Sequence, residues 1–339
     1  GDKGIDLGKH RLLISTAFGT YFAGLLERDG NHIHLENQIQ CPVPKGQEPL
    51  LPIERIFWAF HYPKGPRMVI IAAEGGMGKS TLAAKIARCL SEEQIVDMVL
   101  GDSAKSQQMD VLTSKIQSLD PGYYDPLSCY QRLCSQLGVP FVLGQESSKV
   151  LLTRISDRLI GRRALIILDN LETINEKGEL IKGLTRLINK DVRILITTRQ
   201  LNGITSLTSN QMTVTLNPLI EPALVKRFLR WHVDHFGQEH TALQTLKADL
   251  ENLGLLNVLI QRTGGIPLLM QLVLSDVARY SWDYLGQIPH IYGRELLVYL
   301  YEARWAELDT LQDEGWLAKD LLHWLANEQR LSRKVSFAN

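Results

Sequence analysis

The chain has 339 residues, and its 37 Lys and Arg balance its 37 Asp and Glu, so the formal net charge is zero. This length predicts two or three domains, and the composition, with 45% hydrophobic and 22% charged residues, is that of an ordinary globular protein. The neutral balance excludes a global field that would attract nucleic acid or an anionic membrane, so we expect neither partner.

Targeting and redox signals are absent from the sequence. No apolar run is long enough to span a bilayer, and the N-terminus lacks the basic and apolar regions of a secretory signal. The four cysteines show neither CxxC nor zinc spacing. Free thiols are typical of a reducing compartment. The sequence therefore predicts a cytoplasmic protein.

Residues 1–50 are interpreted as an N-terminal segment and linker of unknown role. Short apolar runs at 12–14 and 33–35 are typical of strands, with a turn signal at 28–31 between them. Residues 41–52 are rich in proline, which is typical of a linker or a wrapped segment.

Continuous apolar runs alternate with helical patterns over residues 51–217. Because strands of a half-exposed sheet alternate apolar and polar residues, continuous runs indicate strands that are buried on both faces. Helices between such strands predict a doubly wound parallel α/β domain. The predicted strands are 68–73, 95–100, 164–168, 192–197 and 212–216, and the predicted helices between them are 80–90, 127–137 and 150–160.

Strand signals stop after Pro218. Residues 223–235, 242–262 and 267–280 have helical patterns, which predicts a small helical lid domain over residues 218–290. Residues 291–339 have helical patterns again, and we expect them to begin a third unit that stops early.

The segment AEGGMGKST at residues 73–81 lies between a predicted strand and a predicted helix. Glycines allow backbone N–H groups to approach phosphates closely, and the helix N-terminus adds positive potential. Lys79 is expected to reach the β- and γ-phosphates, and the Ser80 hydroxyl to ligate Mg²⁺. The strict P-loop pattern has glycine where this chain has Ala73, a small residue that we expect to be tolerated. The expected contacts to ATP or ADP are Gly75, Gly76, Met77, Gly78, Lys79, Ser80 and Thr81.

Two further strand ends carry charged residues. Asp169 ends a buried strand, where P-loop enzymes place an acid that holds Mg²⁺. Glu172 is the candidate to polarise water, since Asn170 cannot accept a proton as a base. Arg199 follows the strand 192–197 and is expected to contact the γ-phosphate. Together with Lys79, these three residues are the predicted catalytic set.

In this order, four segments resemble the NB-ARC branch of the STAND ATPases, the nucleotide switches of multidomain signalling proteins that include apoptotic scaffolds, plant resistance proteins and bacterial regulators. The resemblance extends over about residues 50–310. The similar segments are the Walker A at 73–83, the Walker B at 165–172, the sensor at 194–199 and the GxP motif at 265–268, followed by a winged-helix entry at 304–308.

The resemblance implies several properties that composition and spacing do not give. Pro267 would pack on the adenine, ADP would occupy the resting state, and ATP would drive self-association. Residues 291–339 would be the start of a winged-helix domain, and the other domains of a longer chain would supply the sensor and effector. Slow Mg²⁺-dependent hydrolysis would control the conformation of that longer protein.

Two other functions remain open at this point. A DNA-associated AAA+ ATPase also joins a P-loop sheet to a helical lid, and it would use Arg262 or Arg279 against the γ-phosphate. A nucleotide-stabilised interaction module without hydrolysis is suggested by Asn170 and Ala73, which depart from the usual motifs.

Overall fold

A computed structural model describes most of the first 283 residues. The described residues are 2–6, 11–15, 52–62, 64–109, 116–199, 201, 210–237 and 241–283. All of them belong to the first of two compact units, Gly1–Ile288, and the second unit is Pro289–Asn339. The predicted strand at 33–35 and the predicted winged-helix start at 291–339 lie outside the described residues. The domain boundaries after residues 50, 217 and 290 stay a prediction.

The structure describes nine strands. In chain order they are β1 (Asp2–Asp6), β2 (Arg11–Ser15), β3 (Met68–Ala72), β4 (Met98–Ser103), β5 (Gln107–Met109), β6 (Ile116–Ser118), β7 (Ala164–Asp169), β8 (Val192–Thr198) and β9 (Gln211–Thr215).

The described α-helices also number nine. They are α1 (Pro52–His61), α2 (Lys79–Glu92), α3 (Pro126–Leu137), α4 (Ser148–Leu159), α5 (Lys177–Leu184), α6 (Pro222–Phe236), α7 (Thr241–Gln244), α8 (Leu253–Thr263) and α9 (Pro267–Tyr280).

The main sheet has the strand order β1-β2-β4-β7-β8-β3-β9. In this sheet, β2, β4, β7, β8, β3 and β9 all pair in parallel. The edge strand β1 pairs with β2 in the antiparallel direction. The short strands β5 and β6 form a separate antiparallel hairpin. The five parallel strands β4, β7, β8, β3 and β9 confirm the predicted doubly wound sheet.

Both faces of the sheet are covered, as the continuous apolar runs predict. Successive side chains of a strand leave opposite faces. Val69 and Ile71 of β3 belong to an apolar core that α1 and α2 cover. Met68 and Ile70 belong to a second core, which α3, α4 and α5 cover. The sheet is therefore the middle layer of three, and alternate residues of its central strands face α1 and α2.

The strand order brings three strand ends together. β8 lies between β3 and β7, with Ile71 in register with Thr197 and Leu168 in register with Ile196. The loop after β3 thus opens beside the ends of β7 and β8, where the order of strands along the sheet reverses. Open α/β sheets bind ligands at such a point, beyond the carboxyl ends of their strands.

Two predicted elements differ from the structure. The single helix predicted over 242–262 is wrong: α7 ends at Gln244, and α8 starts after Asn252, whose side chain accepts a hydrogen bond from the N–H of Gly254 at 2.9 Å and caps the new helix. The strand predicted at 95–100 begins and ends three residues later, because the amide of Gln136 bonds both the N–H and the carbonyl of Gly101 and lets the chain continue through that glycine.

The helix α1 has no counterpart among the predictions. The proline-rich pattern of residues 41–52 ends at Pro52, and this proline is the first residue of α1. A proline fits the first turn of a helix because the N–H that it lacks has no intrahelical partner there. The helix covers β3 through Ile56 and Phe60, both fully buried.

Candidate functional site

The loop between β3 and α2 has the backbone shape that a phosphate-binding loop requires. Gly76 and Gly78 have φ angles of 77° and 83°, a region that residues with a Cβ rarely adopt. Gly75 and Met77 are buried, and Met77 packs into the core beneath the loop. Thr81 lies partly exposed in the first turn of α2. The N–H groups of a first helical turn have no intrahelical partner, so they are suited to binding an anion.

Lys79 lies folded back over this loop. Its Nζ donates to the carbonyl oxygens of Ala73 at 2.7 Å and Glu74 at 3.0 Å. Burial lowers the pKa of the Lys79 ammonium to about 8, while the nearby carboxylate of Glu172 acts in the opposite direction. A cation buried next to glycines is placed to pair with a phosphate.

Ser80 and Asp169 meet, as the sequence predicts. Ser80 stands in the first turn of α2, and its Oγ donates to Asp169 Oδ1 at 2.7 Å. Asp169 ends β7 on the sheet face that α2 covers, and it is fully buried. A hydroxyl beside a carboxylate is a donor set that suits Mg²⁺, which prefers oxygen ligands and is bound through few carboxylates together with phosphates. The residues present therefore fit a magnesium-bound nucleotide.

Asp169 has further partners that the sequence did not predict. Thr197 Oγ1 donates to Oδ1 at 2.6 Å, and Ser103 Oγ donates to Oδ2 at 2.7 Å. The Tyr123 hydroxyl donates to the Asp169 carbonyl oxygen at 3.0 Å. Burial raises the pKa of Tyr123 well above its ordinary value, so this hydroxyl stays a donor.

Glu172 and Arg199, predicted as separate catalytic residues, contact each other. Arg199 Nε lies 3.0 Å from Glu172 Oε1, and the backbone N–H of Arg199 donates to Glu172 Oε2 at 3.1 Å. The side chain of Glu172 is 2% exposed and that of Arg199 is 14% exposed. Asn170 adopts a left-handed conformation with φ 64°, which asparagine tolerates, and this turn brings Glu172 back toward β8.

The GxP segment lies directly against the phosphate loop. Pro267 is buried at the start of α9, and the N–H of the next residue, Leu268, donates to the carbonyl oxygen of Gly76 at 3.1 Å. A Cβ placed on Gly76 would lie 2.8 Å from Leu268 Cβ and 3.2 Å from Ile266 Cγ2. Pro267 is thus placed beside the phosphate loop by the hydrogen bond of its neighbour Leu268. The contact of Pro267 with adenine stays a prediction.

Of the two arginines considered for a DNA-associated ATPase, Arg262 is exposed on α8, and the side chain of Arg279 lies outside the described part of the structure.

Residues 62–204 match the family model of the AAA domain. This part of the chain is similar to AAA-type P-loop domains. The match spans less than half of the chain, from before β3 to after β8, and agrees with the P-loop NTPase fold. It supports nucleotide binding in general, and the finer resemblance to NB-ARC proteins stays a prediction. No curated protein matches the chain in sequence.

Solved structures of low sequence identity are similar to parts of this chain. Cdc6p from Pyrobaculum aerophilum is 10% identical, with a TM-score of 0.43, over 77% of this chain and 66% of that chain. The ORC2 protein of Aeropyrum pernix, in ADPNP and ADP complexes, is 13% identical, with a TM-score of 0.43, over 70% of this chain and 65% of that chain. The ORC1 protein of Aeropyrum pernix in complex with DNA is 14% identical, with a TM-score of 0.43, over 72% of this chain and 65% of that chain.

This chain therefore spans just under two thirds of the length of these three proteins. The expectation that nucleic acid is an unlikely partner gains no support from these matches. Among the helices that the structure describes, none has the length and apolarity needed to cross a bilayer.

Proposed function

We propose that this chain is a regulatory ATPase whose phosphate loop binds ATP or ADP with Mg²⁺ and passes the state of the nucleotide to the helical segment of residues 222–283. The match of residues 62–204 to the AAA domain supports nucleotide binding. The regulatory role rests on one observation: the phosphate loop and the start of α9 share the hydrogen bond between Leu268 N–H and the Gly76 carbonyl.

This hydrogen bond couples the phosphate loop to α9 through one rigid peptide unit, the one that joins Gly76 to Met77. The Gly76 carbonyl and the Met77 N–H belong to one planar trans peptide, in which they point in opposite directions. A phosphate that accepts a hydrogen bond from Met77 N–H would fix the orientation of this peptide, and with it the acceptor that Leu268 uses. A change in the phosphates then changes the fit of α9 on the loop.

The size of the coupling suits a switch. The first N–H groups of α9 have no partner within the helix, so Leu268 N–H depends on Gly76. Leaving a donor unpaired costs about 1–3 kcal/mol where it is shielded from water. Leu268 is half-buried, so this range is an upper bound, and it is comparable to the coupling free energies of about 1–3 kcal/mol typical of allosteric proteins. Rearrangement of one peptide of the loop is thus sufficient to shift the position of α9.

The pair of Glu172 and Arg199 accounts for slow hydrolysis. When bound, Mg²⁺ would neutralise the developing charge on the phosphates, with Ser80 and Asp169 as its protein ligands or near neighbours. Both oxygens of Glu172 face Arg199, so a water that Glu172 orients must compete with this arginine. When the Arg199 side chain turns toward the γ-phosphate, it leaves Glu172 Oε1. That oxygen then becomes available to a water, while Oε2 still accepts the backbone N–H of Arg199.

Hydrogen–deuterium exchange tests the regulatory role. ADP with Mg²⁺ should slow exchange in the peptide that contains Leu268, and the effect should disappear in Lys79→Ala, which loses the phosphate contact. An ATPase assay by phosphate release should give a slow rate that also disappears in Lys79→Ala. ADP binding that leaves exchange at Leu268 unchanged would refute the coupling, and fast turnover of hundreds per second would contradict a regulatory role.

The resemblance-based expectations of self-association on ATP binding and of further domains in a longer chain belong to the same proposal. They predict that a non-hydrolysing variant with ATP has a larger mass by light scattering than the same variant with ADP. Equal masses would contradict self-association.

A further inference from the structure

The carboxylate of Asp169 is held asymmetrically. Its Oδ1 accepts hydrogen bonds from Ser80 and Thr197, at 2.7 and 2.6 Å, and its Oδ2 accepts one from Ser103 at 2.7 Å. Ser80 belongs to the phosphate-binding helix, whereas Thr197 and Ser103 come from the strands on either side of β7. The three hydroxyls together define the plane of the carboxylate.

We propose that Ser103 is a positioning residue for the magnesium site, which orients the Asp169 carboxylate toward the ion that Ser80 ligates. This inference rests on the proposed binding of nucleotide with Mg²⁺. Nothing in the P-loop pattern, the strand-end acid or the GxP segment points to Ser103, because it lies on β4, a strand that carries no motif.

The sheet places Ser103 there by register. Ser103 and Asp169 are the last residues of two adjacent parallel strands and are paired across them. Paired residues of parallel strands point to the same face, and this face is the one that α2 covers. Ser103 is 4% exposed, so its hydroxyl has little access to water as an alternative partner.

The direction of the hydrogen bond follows from the other partners of Ser103. Its Oγ accepts the backbone N–H of Lys105 at 3.2 Å, so the hydroxyl proton is available to donate to Asp169. A carboxylate only accepts. The same logic applies to Thr197, whose Oγ1 accepts the N–H of Asn170 at 2.9 Å.

The end of β4 is itself held in place from the opposite face. Arg132 of α3 contacts Asp102 Oδ2 through Nε at 2.9 Å and Nη2 at 2.7 Å. Asp102 Oδ1 accepts the backbone N–H of Ser103 at 2.8 Å. This chain of contacts makes Ser103 a fixed support for Asp169.

Loss of the Ser103 hydroxyl removes the hydrogen bond to Oδ2 and keeps the two to Oδ1, so the carboxylate should turn more freely about Oδ1. The χ2 torsion of aspartate is broad and is set by its partners. Partners that orient ligands in this way typically contribute about 10–100-fold to metal affinity. Ser103→Ala should therefore raise the Mg²⁺ concentration needed for tight ADP binding by on the order of tenfold, and leave ADP binding in EDTA unchanged.

The experiment is a titration of fluorescent ADP binding against Mg²⁺ concentration, with EDTA as the metal-free point. Ser103→Thr, which keeps the hydroxyl, should restore the Mg²⁺ dependence of the wild type. Ser275→Ala is the matched control, because Ser275 is also buried, at 5% exposed, and its Oγ donates to the Gln271 carbonyl away from the site. It should behave as the wild type does.

The outcomes separate this inference from the proposed function. A wild-type protein that binds ADP without any effect of Mg²⁺, or does not bind it, would overturn both. A normal wild-type response together with an unchanged Mg²⁺ dependence in Ser103→Ala would overturn the role of Ser103 alone. Equal losses with Mg²⁺ and with EDTA would show a general structural role and also overturn it. If Ser103→Ala does not fold, Ser103→Cys, which is close in size and a weak donor, should show the same shift.

Discussion

The contact between the phosphate loop and α9 can be tested by adding one methyl group. Gly76→Ala places a Cβ on a residue with φ 77°, 2.8 Å from Leu268 Cβ. The left-handed conformation costs a residue with a Cβ about 1–2 kcal/mol. Overpacking against Leu268 adds about 1–3 kcal/mol, because atoms this close must move apart. The total loss of stability is therefore about 2–5 kcal/mol.

Gly138→Ala is the matched control for the conformational part of this loss. Gly138 has φ 64° at the end of α3, and a Cβ there would have no neighbour within 4 Å. It should lose only about 1–2 kcal/mol. The difference between the two variants, about 1–3 kcal/mol, measures the contact with α9.

The assay is urea unfolding of the nucleotide-free proteins, together with hydrogen exchange of the peptide that contains Leu268. Gly76→Ala should have a lower unfolding midpoint than Gly138→Ala and faster exchange at Leu268. Adding Leu268→Gly to Gly76→Ala should cost less than the sum of the two single changes, because it removes the crowded Cβ. Equal midpoints for Gly76→Ala and Gly138→Ala would refute the contact between loop and helix.

Three further predictions concern the charged residues of the site. Glu172→Gln should retain ATP binding and lose phosphate release by on the order of 10²–10⁴-fold, as expected for a base that orients water, and an unchanged single-turnover rate would exclude that role. Asp169→Ala should reduce phosphate release more than ADP binding, since its partner is the metal, and equal losses in the two assays would indicate misfolding or a different role. With a pKa of about 8 for Lys79, the ammonium that binds phosphate loses its proton as the pH rises through that value, so ADP affinity should fall roughly tenfold between about pH 7 and pH 9. Lys79→Met should show weak binding without this pH dependence, and a wild-type affinity that stays constant over the range would contradict the lowered pKa.

Local patterns in the sequence predicted the central part of this site. The glycines before Lys79 and the acid at the end of an apolar run are features of single segments, and each implies its own backbone geometry. The contact of Ser80 with Asp169 follows once both segments are assigned to one parallel sheet. The doubly wound class could also be predicted from local patterns, because continuous apolar runs indicate strands that are buried on both faces.

The surroundings of Asp169 depend on pairing across strands, which no local pattern contains. Ser103 faces Asp169 because β4 continues through Gly101, and it does so because Gln136, thirty-five positions away, bonds that glycine. A glycine followed by an aspartate ordinarily indicates the end of a strand. Tyr123 belongs to the loop before α3, which is placed near Asp169 by the packing of α3 on the sheet and by the hydrogen bond from Gly122 N–H to the Ser103 carbonyl at 2.8 Å.

The ion pair of Glu172 with Arg199 also depends on a contact between distant segments, so local sequence patterns do not predict it. Each residue had a predicted role toward the nucleotide, and their mutual contact depends on the left-handed turn at Asn170. The sequence showed Asn170 only as a departure from a second acid. In the structure, the left-handed conformation of Asn170 directs Glu172 toward β8.

Equilibrium binding of ADP to nucleotide-stripped protein, with Mg²⁺ present, tests the central claim most directly. The wild type should bind one ADP per chain, and Lys79→Ala should bind it far more weakly while unfolding at a similar urea concentration. Absence of binding by the wild type, or equal binding by a folded Lys79→Ala, would contradict a nucleotide site at this loop.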